Sequence, residues 1–261
     1  MTFHPASSAL RGAFNSRAAA TAVRPRAIVA GATGVLGAEV LRRLAGGGQF
    51  AHIDVLTKEL ITTIVARVGM VMVEADGSCE QWPALPTSAE VGVVMFEPPR
   101  LYYDRERALW TPAPEQLLSL ARWLRRCGVQ TLVVVMPHAQ GRLPEALKGG
   151  LANLDEHGVA TLGFERVLLV RSPQKSAAVK HAGFFKKTAA WMLSVMSYMM
   201  PATEQPVRPK TLAEFVEVAL RVLPPGTHVA PPELLWRASH GRAKAGGMHA
   251  IVNAWLNGGN G

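Results

Sequence analysis

The sequence has little cysteine, few acidic residues and no long apolar run. Its two cysteines, Cys79 and Cys127, form no CxxC pair, so neither a disulfide framework nor a zinc site is indicated, and no metal is expected. There is no secretory hydrophobic region and no run of about 20 apolar residues, so we expect no transmembrane segment. With 49% hydrophobic and 18% charged residues, the composition favours a compact globule over a disordered chain.

Acidic residues are missing from both ends of the chain, since none precedes Glu39 and none follows Glu233. The formal net charge of +9 is therefore spread unevenly, and both ends are basic. The basic residues there are scattered among Ala and Gly without interleaved aromatics, so we expect solvated tails and no specific nucleic-acid partner. Residues 1–24 share their composition with mitochondrial transit peptides and with plain extensions. Ala and Arg are abundant along the whole chain, so a GC-rich genome explains this composition at least as well as targeting does. A cytoplasmic bacterial protein is therefore favoured, with a mitochondrial location as the alternative.

Short apolar runs alternate with longer amphipathic runs, which is typical of βα units around a parallel sheet. Strands are predicted at 27–30, 52–56, 70–73, 91–96, 131–136 and 166–170, with short strands expected at 228–230 and 234–236. Helices are predicted at 35–44, 115–127, 143–157, 176–200 and, opened by a capping box at Thr211 and Glu214, at 211–223. Residues 60–67 fit a poor helix or a strand. The predicted fold class is α/β, with a doubly wound, mostly parallel sheet and a small, mostly helical C-terminal lobe.

Three glycines spaced every third residue follow the first predicted strand, in the run Gly31-Ala32-Thr33-Gly34-Val35-Leu36-Gly37. Gly31 permits a sharp turn, Gly34 permits backbone N–H groups to approach a pyrophosphate, and Gly37 permits close packing of helix on strand. The start of the next helix then faces the phosphates, and its unpaired N–H groups favour an anion. The turn predicts a Rossmann-type dinucleotide site whose contacts include Gly31, Thr33, Gly34, Val35, Leu36 and Gly37.

The end of the second predicted strand indicates which dinucleotide is bound. NAD-specific sites place an acid about 20 residues after the turn to bind the ribose hydroxyls. Here Thr57 and Lys58 stand at that place. A lysine would pair with a 2′-phosphate, so NADP is preferred over NAD, although Lys58 also fits an ordinary solvated side chain. Asp54, within the strand, is the competing candidate for an NAD ribose contact.

These features divide the chain into a basic, flexible extension at 1–25, an NAD(P)-binding core at 26–175, and a C-terminal helical lobe with a basic tail at 176–261, packed on the core.

At the glycine turn the chain resembles the extended and atypical short-chain dehydrogenase/reductase superfamily. The resemblance covers most of residues 27–223 and continues through 164–173 and 206–217. Within the superfamily the chain is similar to the small NAD(P)-binding proteins of the TIP30-like group.

The resemblance implies catalytic positions that this sequence has changed. Conventional members carry a Tyr-x-x-x-Lys pair, in which the tyrosine transfers the substrate proton and the lysine lowers its pKa. Lys148 stands at the lysine position, but four residues earlier is Pro144. The tyrosines of the chain are Tyr102, Tyr103 and Tyr198, and none is followed by lysine at that spacing.

Two further positions differ from the superfamily pattern. The serine or threonine that orients the substrate carbonyl is replaced by Met136-Pro137-His138. Phe96 is a predicted cofactor contact, and the loop after it normally offers small residues beside the nicotinamide ribose, whereas here it reads Glu97-Pro98-Pro99-Arg100. His138 at a strand end is a candidate general acid or base with Glu97 or Lys148 beside it, but a loop histidine that has no role is the favoured interpretation, because no partner at a fixed spacing supports the catalytic one.

Two hypotheses of function follow. In the first, the chain binds a dinucleotide without conventional reductase chemistry and acts as a sensor, a scaffold or a subunit of a complex. In the second, it is an NADPH-dependent oxidoreductase or isomerase acting on a small hydrophobic substrate, with His138 or Tyr103 as a substitute acid. A methionine-rich helix predicted at 188–200 is expected to be buried, or else to contact a hydrophobic ligand, a protein partner or a membrane surface.

Overall fold

The computed structural model describes residues 24–61, 65–74, 78–138, 157–173, 207–240 and 247–258. Within these ranges the strands are β1 (Arg26–Ala30), β2 (His52–Thr57), β3 (Val68–Met72), β4 (Val91–Met95), β5 (Thr131–His138), β6 (Arg166–Pro173) and β7 (Gly226–Ala230). They form one sheet in the order β3-β2-β1-β4-β5-β6-β7, and every neighbouring pair is parallel. The predicted α/β class and parallel sheet are confirmed.

The described helices are α1 (Gly34–Gly46), α2 (Asp104–Arg107), α3 (Leu117–Arg126), α4 (Pro209–Val222), α5 (Pro232–His240) and α6 (Gly247–Leu256). Short 3₁₀ turns lie at Cys79–Gln81 and Pro114–Gln116, and residues 157–160 are helical. In the ambiguous segment, residues 60–61 and 65–67 form neither a helix nor a strand.

Both faces of the sheet are buried, as a doubly wound fold requires. Along β1, Ala27 and Val29 pack on one face, where helices α1 and α4 supply most of the apolar cover. Ile28 and Ala30 pack on the other face, beneath α3 and three tryptophans. The ring of Trp82 meets those of Trp110 and Trp123 edge-on, with centroids 4.9 and 5.3 Å apart. Edge-on contacts add to the stability that burial of these rings provides.

An ion-pair network joins the helices of the first face. Arg43 on α1 donates to Glu214 at 3.0 Å and to Glu217 at 2.9 Å, both on α4. All three side chains are partly buried, so their attraction is screened less than that of surface pairs. The network fixes how α4 lies on the helix that begins at the glycine turn.

Two sequence predictions in the C-terminal region were wrong. Residues 234–236 lie in helix α5, not in a strand; Pro232 supplies a favourable helix start. The predicted capping box does not form, because α4 begins at Pro209, which leaves Thr211 buried inside the helix and Glu214 paired with Arg43. The strand expected at 228–230 exists as β7, and it extends the main sheet. The predicted boundary at residue 175 between the core and the C-terminal lobe stays a prediction. The helix predicted at 176–200 lies outside the described residues, and so does the helix predicted at 143–157 up to residue 156.

Candidate functional site

The glycine turn between β1 and α1 has the backbone that its sequence predicts. Gly31 and Gly34 have φ angles of +74° and +71°, a region that side chains disfavour. A Cβ at Gly31 would overlap the carbonyl oxygen of Met95, and one at Gly37 would lie 2.6 Å from the carbonyl oxygen of Gly31. The turn therefore presents the first N–H groups of α1 at the carboxyl edge of the sheet, where ligands of open α/β sheets bind.

Two carboxylates of the chain itself occupy these N–H groups. The backbone N–H of Leu36 donates to Glu97 Oε2 at 2.6 Å, and that of Gly34 donates to Glu106 Oε2 at 3.1 Å. A Cβ at Gly34 would overlap the Glu97 side chain. The carboxylate of Glu97 therefore fills the space that this glycine leaves open, where the sequence predicts a pyrophosphate.

Thr33 precedes the helix but does not cap it. Its hydroxyl donates to the carbonyl oxygen of Glu97 at 2.5 Å and lies 2.9 Å from the hydroxyl of Thr111, and no side-chain cap bond forms. Because the N-terminal N–H groups of a helix need acceptors, Glu97 and Glu106 take the role that the Thr33 hydroxyl usually has.

Glu106 is fixed by Arg100. Its carboxylate accepts the backbone N–H of Arg100 at 2.9 Å and the guanidinium Nε at 2.8 Å, and it also pairs with Arg100 Nη2. Burial alone would raise the pKa of Glu106, but the hydrogen bonds from the Arg100 side chain and from the N–H groups of Arg100 and Gly34 hold it below its ordinary value. The Arg100 guanidinium lies 3.7 Å from the ring centroid of Tyr103.

The end of β2 is covered by the same part of the chain. The N–H of Lys58 donates to the carbonyl oxygen of Ala108 at 2.7 Å, and the N–H of Trp110 donates to that of Leu56 at 2.9 Å. The N–H of Gly31 in turn donates to the carbonyl oxygen of Trp110 at 3.1 Å. Residues 97–111, here called the covering segment, thus contact both the glycine turn and the place where a nucleotide ribose is expected.

The remaining predicted cofactor contacts lie around this segment. Val35 and Lys58 have exposed side chains, and Phe96 is half-buried against the core. Thr57 is fully buried, and its hydroxyl donates to the carbonyl oxygen of Val71 at 3.3 Å.

The competing NAD contact, Asp54, is engaged inside the sheet. Its carboxylate lies 3.0 Å from Nη2 of Arg26, at the start of β1, and 3.2 Å from Nε2 of His52. Because the side chains that hold it come from the amino ends of β1 and β2, Asp54 does not reach the carboxyl edge, where a ribose is expected.

The candidate catalytic residues are only partly within the described chain. His138 is the last residue of β5, with its backbone opposite Pro173 of β6. Lys148 and Pro144 lie outside the described residues. Glu97, expected as a partner of His138, instead bonds to α1. Tyr102 is 93% exposed and Tyr103 is 51% exposed on the covering segment.

The capping roles of Glu97 and Glu106 were not predicted from the sequence. Glu97 carries a signal, since it directly follows a buried strand at the ligand-binding edge. Glu106 carries none, because its bond to Gly34 spans 72 residues and depends on how the covering segment folds. In the ranges that the structure covers, no three His, Cys, Asp or Glu residues are grouped to hold a metal ion, and no helix combines the length and apolar character needed to cross a membrane.

The order and direction of the strands decide the class of the fold. The fold is of the Rossmann type. No protein-family model matches the chain, and no curated protein matches it. Solved structures with similar folds include a nucleoside-diphosphate-sugar epimerase from Staphylococcus aureus, at 12% identity over 90% of each chain with a TM-score of 0.45.

Two further solved structures are similar at the same level. One is a uronate dehydrogenase from Agrobacterium tumefaciens, with 14% identity, 79% of this chain and 75% of that chain covered, and a TM-score of 0.47. The other is a Rossmann-fold NAD(P)-binding family protein from Shigella flexneri, with 12% identity, 67% and 87% covered, and a TM-score of 0.38. Likeness at this level does not extend to function, and it does not bear on the TIP30-like group.

Proposed function

We propose that the chain is a dinucleotide-binding protein of the atypical short-chain dehydrogenase/reductase type, preferring NADP, that works as a sensor, a scaffold or a subunit of a complex. The observation that supports this most is the anion site at the start of α1. The N–H groups of Gly34 and Leu36 already bind carboxylates there. The turn thus has the geometry and the polarity that a pyrophosphate requires.

The residues around the turn fit a dinucleotide with defined roles. The N–H groups of Gly34 and Leu36 would hold the pyrophosphate, and the exposed Lys58 at the end of β2 would pair with a 2′-phosphate. A bound nicotinamide would supply hydride transfer, which belongs to the cofactor. The chain's own contribution at this edge is to bind and orient, since Pro144 offers no proton where the superfamily has its tyrosine.

The alternative function keeps redox or isomerase chemistry with a substitute acid. It is favoured by the place of His138, which ends a central strand at the carboxyl edge of the sheet. Tyr103 is the second candidate acid, because its half-exposed ring lies on the covering segment beside the Arg100 guanidinium.

Two further parts of the proposal concern location and partners. Cys79 and Cys127 are free and buried, and burial raises the pKa of both thiols. Unpaired, protonated thiols suit the reducing cytoplasm, where we place the protein.

The methionine-rich segment at 188–200 remains the expected contact for a hydrophobic ligand or a protein partner.

Calorimetric titration with NADPH and NADH tests the proposed function. We expect NADPH to bind more tightly than NADH, because Lys58 can form an ion pair with the 2′-phosphate of NADPH, which NADH lacks. Lys58→Ala should weaken NADPH binding about tenfold, the value of one charge-assisted hydrogen bond, and should leave NADH binding unchanged. Lys210→Ala, which removes an exposed lysine from α4, is the matched control. Binding of neither dinucleotide would overturn the proposal, and equal affinities would overturn the NADP preference.

A further inference from the structure

One segment of the chain occupies the phosphate part of the dinucleotide site and is anchored beside the end of β2. Glu97 and Glu106 occupy the N–H groups of Leu36 and Gly34, where the phosphates are expected. Ala108 and Trp110 form backbone hydrogen bonds with Lys58 and Leu56 at the end of β2, and these bonds anchor the segment beside the place where the ribose is expected. We propose that the covering segment is an autoinhibitory plug, in which Glu97 competes with ligand phosphates for the start of α1. The inference rests on the proposed function, because it concerns access to that same site.

A carboxylate and a phosphate cannot share these donors. Glu97 lies where the missing side chain of Gly34 leaves room, so a phosphate approaching the same backbone would meet the carboxylate carbon and oxygen atoms. The two anions would also repel each other at short distance. Ligand binding therefore requires Glu97 to leave, and the apparent affinity falls by the fraction of molecules in which the site is open.

The plug is held unevenly along its length. At its C-terminal end, Trp110 is 2% exposed and packs against Trp82. In its middle, Leu101 and Tyr102 are 71% and 93% exposed. Segments with few buried contacts open at low free-energy cost. We therefore infer that the plug opens at 97–107 and pivots about the anchored Trp110.

Glu97 and Glu106 have different roles in this device. Glu106 is bound by Arg100 of the same segment as well as by Gly34, so it holds the closed shape together. The Glu97 carboxylate has one described donor, the N–H of Leu36, and its carbonyl oxygen accepts the Thr33 hydroxyl. Neutralising Glu97 therefore weakens the plug with the least disturbance of the fold.

The test compares wild type, Glu97→Gln and Glu97→Ala with the control Glu233→Gln. Glu233 is an exposed acid that follows β7, four strands away from β1 in the sheet, and its substitution makes the same change in charge. Each protein is titrated with inorganic pyrophosphate and with NADPH by calorimetry. Thermal unfolding of each variant verifies that it is folded.

We expect both Glu97 variants to bind pyrophosphate and NADPH about tenfold more tightly than wild type, since a charged acceptor is replaced by a neutral one or by none. Glu233→Gln should bind like wild type. Hydrogen exchange should show faster exchange at residues 97–107 in wild type when NADPH is added.

The outcomes separate the plug from the proposed function. If NADPH binds wild type and the Glu97 variants equally, the plug is overturned and the proposed function stands. If pyrophosphate binds the variants more tightly than wild type while NADPH binds none of them, the plug is supported and the proposed function fails. If pyrophosphate binds none of the proteins, removing Glu97 exposes no anion site, and the plug is overturned.

Discussion

At the scale of single residues, the site depends on buried charge that is balanced inside the chain. Glu106 is 7% exposed, and a carboxylate so buried stays ionised only when hydrogen bonds offset the loss of water. Arg100 and the N–H of Gly34 provide those bonds. Since they lower the pKa of Glu106 overall, the ionised form stabilises the folded state.

We expect Glu106→Gln to reduce the free energy of unfolding by about 1–3 kcal/mol near neutral pH, because a neutral amide replaces a charged acceptor beside Arg100. The folded-state pKa of Glu106 lies below its ordinary value of 4.5. Its stabilisation is therefore fully present above that value and is lost as the pH falls through the folded-state pKa. Urea unfolding at neutral and acidic pH should show the gap between wild type and variant closing. Glu115→Gln, at an exposed acid, is the control, and a gap that persists at low pH would contradict the assignment.

At the scale of elements, the sequence predicts what is local and misses what is long-range. The β1, glycine turn and α1 unit is predictable because each glycine restricts its own backbone, and buried parallel strands are readable as continuous apolar runs. The capping box failed because Pro209 starts α4 earlier than Thr211. The contacts of the covering segment with α1 span 61 and 72 residues, and no local pattern encodes them.

The contact between α1 and α4 gives a prediction at this scale. Arg43→Met should lower the free energy of unfolding by about 1–3 kcal/mol, because it leaves the partly buried Glu214 and Glu217 without this guanidinium. The neighbouring Arg42 pairs with Glu39 on the surface, with a side chain 63% exposed. Arg42→Met should therefore change stability by no more than about 0.5 kcal/mol. Denaturant unfolding of both variants checks this, and equal losses would show that the network does not stabilise the helix pair.

At the scale of the whole molecule, access to the site and chemistry at the site depend on different parts of the chain. Access is set by the covering segment between β4 and α3, which closes the carboxyl edge over β1 and β2. In the proposed function, chemistry would depend on residues that follow β5 in the sequence, where Pro144 stands at the position that the resemblance to conventional reductases assigns to their tyrosine. Opening the covering segment should therefore not restore reductase chemistry.

This separation predicts that wild type and Glu97→Gln both lack appreciable carbonyl reductase activity with NADPH on a broad panel of aldehydes and ketones. General acid catalysis contributes about 10²–10⁴-fold, so its loss leaves turnover slow even when the cofactor binds well. A conventional Tyr–Lys reductase in the same assay is the positive control. A robust rate that rises in Glu97→Gln would show that access alone limits the reaction. Loss of that rate in His138→Ala or Tyr103→Phe would then identify the substitute acid. The His138 variant leaves the plug and the cofactor contacts intact, and the Tyr103 variant removes only a hydroxyl.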